Sequence, residues 1–266
     1  MLRHLARIAV LVLASGVACA LLVRYAPGTM VDERELDRRL SEENIRELRS
    51  NKADVLGNFK RYLVGLTKGD LGYSQSNNAP IAALIADRAP ETLREIGIGL
   101  LGGWAIGLAL AIRRTWAVSA GMGLLLSLPT ALIAYLCVMK GAKSSLVLVI
   151  VLAPKIFHFA GNVLAQAYTA LHVEMARARG VGEARILVSH VFPAISPQLL
   201  ALAAASVSMA IGAAIPVEAI CDVPGLGRLA WNAAMARDLP LLVNLTMIVA
   251  VATTMATTVT AAISER

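Results

Sequence analysis

Ile96-Gly-Ile-Gly-Leu-Leu-Gly-Gly-Trp-Ala-Ile-Gly-Leu-Ala-Leu-Ala-Ile112 runs without a charged residue and stops abruptly at Arg113-Arg114. A bilayer core about 30 Å thick is crossed by an α-helix of about 17–25 mainly apolar residues. In lipid only a segment that satisfies its own backbone hydrogen bonds is tolerated, so the stretch reads as a membrane-spanning helix. The arginine pair places its end on the cytoplasmic side.

The same rule organises the chain on either side. Downstream, a span from about Ala117 to Met139 is interrupted by Pro129, and its short link to the preceding span makes the two antiparallel neighbours. Lys140 to Ser145 form a short external turn. A fourth segment, about Leu146 to Ala170, is expected to be the least regular, because Pro154, Lys155, His158, Asn162 and Gln166 interrupt it. A polar, helix-prone stretch follows from Leu171 to His190. The fifth span covers roughly Leu199 to Val217, and an external loop with Pro224-Gly-Leu-Gly227 leads to a sixth at about Leu241 to Ile263. Upstream, residues 25–91 are polar. Asp32 to Lys52 interleave charges of both signs, as a solvated helix does, and Gly69-Asp-Leu-Gly72 and Ser76-Asn-Asn78 are turn chemistry. Leu5 to Val23, with Arg3, His4 and Arg7 at its start, reads as an uncleaved first span rather than a cleaved signal peptide. The expectation is an all-α membrane protein of about six transmembrane helices with both termini cytoplasmic. Its parts are a first helix at 1–24, an extracytoplasmic insertion at 25–91, and a core at 92–266 carrying a cytoplasmic loop at about 171–193.

Composition agrees. Hydrophobic residues make up 57% of the 266 and charged residues 16%, against about 25% charged in soluble domains, and mean hydropathy is +0.66. The net charge of +7 fits loops that fix orientation; no basic helix or aromatic platform points to nucleic acid. Cys19, Cys137 and Cys221 have no metal-ligand spacing. No His/Asp/Ser cluster points to an enzyme, and no glycine cluster forms a nucleotide-binding loop.

The chemistry concentrates in Glu174-Met-Ala176-Arg-Ala178-Arg-Gly180-Val-Gly182-Glu183-Ala-Arg185, followed by His190-Val-Phe-Pro193. It reads as a short charged helix stopped by a glycine in the left-handed conformation, then a second amphipathic helix ending at the proline. Ala176 and Ala178 keep the surface small for a close-approaching partner. On the fourth segment, Lys155 and His158 are three residues apart and share a helical face. Either Lys155 lies near the midplane and, with His158 and Asn162, lines a pathway that meets a substrate carboxylate, or the span begins later and Lys155 snorkels to the surface.

The charged elbow resembles the signature loop of ABC-importer permeases. Within that group the chain is similar to the dipeptide/oligopeptide/nickel family, B-type subunit. The likeness rests on Ala176-Arg-Ala178-Arg-Gly180, on Glu218 followed by Pro224-Gly225-Leu-Gly227, on Ala236-Arg-Asp238-Leu-Pro240, and on Gly69-Asp-Leu-Gly72 with Arg88-Ala-Pro90-Glu-Thr92-Leu93. The motifs stand in the family's order over about two-thirds of the chain.

The resemblance implies a transmembrane subunit of an ATP-driven importer, itself not an enzyme, in the bacterial inner membrane. Glu174, Ala176, Ala178, Gly180 and Glu183 would form the contact with the ATPase. Glu218, Pro224, Gly225 and Gly227 would form an external gate or loop, with a tight turn and local backbone capping as the structural alternatives. The implied partners are a second permease subunit, two cytoplasmic ATPase subunits that bind the ATP, a solute-binding protein and lipid. Small peptides are the implied solute, with nickel or another small solute as the alternative. A shortened external turn at 140–145 and Lys155 with His158 in the fourth span depart from the family and mark a reduced paralogue. A proton-coupled secondary transporter would carry buried acids in its spans, which are nearly lacking here. A membrane-anchored sensor or assembly factor would leave the arginine-rich elbow unexplained.

Overall fold

The computed structural model describes residues 71–74 and 76–264. The first span at 1–24 and the charged helix at 32–52 lie outside them. The described residues form two units, one of Asn232–Ile248 with the described residues up to Asp87, the other of Arg88–Trp231 with the described residues from Val249 onward.

The smaller unit holds a two-residue hairpin, β1 (Tyr73–Ser74) against β2 (Ala79–Pro80), antiparallel with Tyr73 opposite Pro80. From β2 the chain passes into α1 (Ile81–Ile112), which contains Pro90. The helix therefore starts well before Ile96. The charges between Asp87 and Glu95 oppose burial in lipid but not helix formation, and at about 48 Å the helix exceeds a hydrocarbon core.

The larger unit holds α2 (Trp116–Ser127) and α3 (Thr130–Met139), α4 (Ser144–Tyr168), the short α5 (Leu171–Ala178) and α6 (Glu183–Ile186), a π-turn at Leu187–Val191, and α7 (Phe192–Ile220). Beyond these come α8 (Leu226–Met235) and α9 (Leu239–Ser264). Four helices among the described residues are long and apolar enough to cross a membrane, and α2 with α3 forms a further pair bent by 101° at Leu128-Pro129.

Contrary to expectation, the fourth segment is one unbroken helix and the most enclosed. In α4, 61% of the apolar window is buried, against 33% in α1. Pro154 forfeits one backbone bond, and burial of Val151, Leu152, Ala153, Ile156 and Phe157 around it holds the helix through it. Leu152, Ile156 and Phe157 are fully buried and gather Ile96 and Ala111 of α1 with Leu202, Ala210 and Ala214 of α7 into one core.

A glycine seam sets how α1 meets α4. A Cβ built on Gly99 would stand 2.6 Å from Leu148 Cβ, on Gly103 2.9 Å from Leu152 Cβ, and on Gly107 2.9 Å from the Ala153 carbonyl. Glycines four apart make a flat stripe that lets two helices touch nearly backbone to backbone.

The register of this seam fixes the path of the chain. Ser145 Oγ donates to Glu95 Oε1 at 3.1 Å, Leu148 and Leu152 meet Gly99 and Gly103, and Arg114 Nη1 donates to Asn162 Oδ1 at 3.3 Å. Contacts rise together along both helices, so α1 and α4 run parallel. Having left α1 at one end, the chain must return to the other end before α4 begins, a climb of about 28 Å between the levels of Arg114 and Glu95. The bent α2–α3 pair, with the links on either side of it, covers that distance.

A further correction concerns the fifth span. The expected second amphipathic helix does not end at Pro193; the chain is helical from Glu183 to Ile220. In the π-turn the Phe192 amide donates to the Leu187 carbonyl, five residues back. That widened turn makes room for the ring of Pro193, which a regular α-turn would press against the carbonyl four residues earlier.

Candidate functional site

Two polar constructions stand at opposite ends of the larger unit, and a third lies midway along α4.

At the end marked by Arg113 and Arg114, α5 and α6 form an elbow. Gly180, at φ 80°, stops α5: its amide donates to the Arg177 carbonyl at 3.0 Å and the Val181 amide to the Ala176 carbonyl at 3.2 Å. These are the paired bonds of a Schellman motif, and Val181 packs against the core beside Ala176, supplying its usual hydrophobic contact. Arg177 then clamps Glu183 across the turn, Nε to Oε1 at 2.7 Å and Nη2 to Oε2 at 3.2 Å. This two-bond fork holds the Arg177 guanidinium above its ordinary pKa, chiefly through the hydrogen bond to Glu183.

Val173, Ala176 and Ile186 turn inward and belong to the same buried core as α4 and α7. This corrects the expectation for Ala176. It is 5% exposed, and its small side chain lets the elbow sit close against the spans. Glu174, Ala178 and Gly180 are exposed, beside exposed Leu171, Met175 and Val188. The outward face therefore mixes two carboxylates, Glu174 and the Arg177-paired Glu183, with arginines and three apolar side chains on a rigid base.

At the other end Glu218, fully buried, reaches from the last turn of α7. Its Oε2 accepts the Gly227 amide at 2.6 Å, while Thr92 Oγ1 accepts the Leu226 amide at 2.8 Å. Both amides are unsatisfied donors of the first turn of α8, where a carboxylate is favoured. A Cβ on Gly225 would collide with Glu218 and Thr92, and one on Gly227 would lie 2.6 Å from Ile215 Cα. Glu218, Gly225 and Gly227 are thus one interlocked cap, with Pro224 exposed at its tip. The geometry is that of the local backbone cap named as an alternative above. Arg228 Nη2 pairs with Asp222 Oδ1 at 2.6 Å and ties the loop further.

Along α4, Lys155 and His158 are half-buried and Asn162 is exposed. Asn162 is engaged by Arg114 near the elbow end. His158 Nε2 is buried with no hydrogen-bond partner among the described residues, facing Gly123 of α2, whose Cβ position would be 3.9 Å away. Because α4 begins at Ser144, Lys155 lies about 16 Å along it, near mid-span.

The smaller unit holds a residue that the motif reading named but gave no role. Asp238, 1% exposed, accepts Ser74 Oγ at 2.6 Å, the Ser76 amide at 2.9 Å and Ser76 Oγ at 2.8 Å on Oδ2, and the Leu241 amide at 3.2 Å on Oδ1. Asn244 Nδ2 adds a bond to the Leu71 carbonyl at 3.0 Å. An Asp before Leu-Pro and an apolar run is a helix N-cap signal that was available to read; its grip on the hairpin was not.

The sequence pattern of the binding-protein-dependent transport system inner membrane component family matches residues 99–266, well over half of the chain. The chain belongs to that family. Like the rest of this family of apolar multi-pass inner-membrane subunits, it is not itself an enzyme. A Brucella ovis protein, provisionally named a peptide permease, is 27% identical over 195 residues, 70% of this chain and 57% of that protein. The chain thus spans less than two thirds of that relative's length. A Brucella suis biovar 1 protein with the same provisional name is 25% identical over 228 residues, 72% of each. A glutathione transport system permease protein of Salmonella paratyphi A is 27% identical over 210 residues, 69% of each. The matched region of the family takes in the glycine seam, the elbow and the Glu218 cap.

Proposed function

We propose that this permease subunit forms half of the pathway of an ATP-driven importer for small peptides, with the elbow as its contact to a cytoplasmic ATPase. One observation carries this reading: the elbow's outer face is exposed while its inner face, Val173, Ala176 and Ile186, shares a buried core with α4 and α7. A push on Glu174 or Met175 is thereby passed to two spans as a rigid-body movement. The arginines at 113, 114, 177, 179 and 185 set this end in the cytoplasm, which puts the Glu218 cap outside. A second permease subunit completes the pathway, two ATPases bind the nucleotide, and a solute-binding protein delivers at the outer end. Relatives named for peptide and glutathione transport support the solute class. Lys155 and His158 suit it too, because a cation and an unpartnered ring nitrogen near mid-span are costly unless they serve a ligand carrying a carboxylate.

The test is co-purification. Glu174→Arg and Gly180→Pro are expected to insert at native levels but to retain tenfold less ATPase subunit. Native ATPase recovery with native uptake in both variants would refute the elbow assignment. Separately, Lys155→Met is expected to depress peptide uptake at least fivefold with ATPase recovery unchanged; unchanged uptake would take Lys155 out of the pathway.

A further inference from the structure

Two thiols lie at the end of the larger unit away from the elbow. Cys137 is one turn beyond buried Ile133 and Ala134 on α3, and Cys221 caps α7 one turn beyond buried Val217. Both border the same buried patch of Ile133, Ala134, Val147, Leu148, Val151, Ala213 and Val217. The two helices point the same way. Leaving α3, the chain enters α4 at the level of Glu95; Glu218 lies in the last turn of α7, and the loop it caps is held by Thr92, one turn from Glu95. The last turns of α3 and α7 therefore finish side by side, each with a half-buried free thiol. Burial pushes the Cys221 thiol up, and the neighbouring Cys137 and Glu95 add to this.

We infer that Cys137 and Cys221 form a redox-sensitive staple, in which an intramolecular disulfide ties the end of α3 to the cap of α7. One thiolate attacks a small external disulfide and expels one thiol. The second cysteine attacks the resulting mixed disulfide and expels the other. The protein loses two electrons and two thiol protons; the reagent is reduced to two thiols. The staple's exposure to an oxidising compartment rests on the orientation proposed above. Because α3 is the second limb of the bent pair and α7 carries Glu218, closing the bridge locks these two helices together at that end.

The native chain has three cysteines, which allows a direct count. The purified full-length protein is treated with oxidised glutathione, denatured and labelled with maleimide-polyethylene glycol. The labels are expected to fall from three to one and to return with dithiothreitol, with no glutathione mass added. In Cys137→Ser and Cys221→Ser chains no intramolecular bridge is expected. Three labels after oxidation, a glutathione adduct in place of a bridge, or a bridge that survives either substitution would overturn the pairing. The same treatment of intact cells, where the reagent reaches only the outer face, is expected to close the bridge. Bridging of the purified protein but not in cells supports the pairing and overturns the outward orientation.

Discussion

Asp238 gives one carboxylate oxygen to the hairpin serines and the other to the first turn of α9. Hydrogen bonds to a charged acceptor contribute about 1.5–3 kcal/mol each, and the donors left behind are costly. Asp238→Ala is therefore expected to release the 71–80 hairpin, read as at least tenfold faster amide exchange there than in α4; unchanged protection would show that the hairpin is held otherwise. Gly225 is equally exacting: Gly225→Ala should lower thermal stability by about 1–3 kcal/mol through the clash with Glu218, whereas Gly182→Ala, with open space around the added methyl, should be near neutral. Measured melting in detergent separates the two. The role of Gly180 was legible from sequence, because a glycine after a charged helix is a local signal. That of Ala176 was not: an eight-residue helix is too short for its pattern to declare which face turns inward. Nor could the Asp238–Ser74 bond be read, since its partners lie 164 residues apart and nothing local links them.

The helices tell a similar story at their own scale. Pro129 marked the break in the third span, but the 101° bend depends on how α2 and α3 pack on α4. Pro154 and the polar residues after it pointed to irregularity, yet α4 is continuous; close packing supports a helix through a lost bond, and packing is invisible to a local reading. The spacing Gly99, Gly103, Gly107 was present as a small-residue repeat, a signal that length and hydropathy alone pass over. Substituting a bulky residue there should force α1 from α4. Gly103→Leu is expected to lower the melting temperature by several degrees, consistent with overpacking costs of about 1–3 kcal/mol, while Gly121→Leu, at a position with nothing within 4 Å, should not. Equal losses at both sites would mean that the seam is not what holds these helices.

At the scale of the larger unit, the parallel run of α1 and α4 sets the elbow and the Glu218 cap at opposite ends, and the proposed function reads those ends as the two faces of the membrane. Hydropathy found these helices approximately; helix starts at Ile81 and Glu183 escaped, because charged turns extend a helix without changing the apolar count. Sidedness decides whether the elbow can meet a nucleotide-driven partner. It is measured most directly by placing single cysteines through Arg179→Cys and Pro224→Cys, in chains whose native cysteines are replaced by serine, and labelling with a membrane-impermeant maleimide. In intact cells the Pro224→Cys chain should react and the Arg179→Cys chain should stay unlabelled until the inner face is opened. Labelling at position 179 from outside would contradict a cytoplasmic elbow and the coupling built on it.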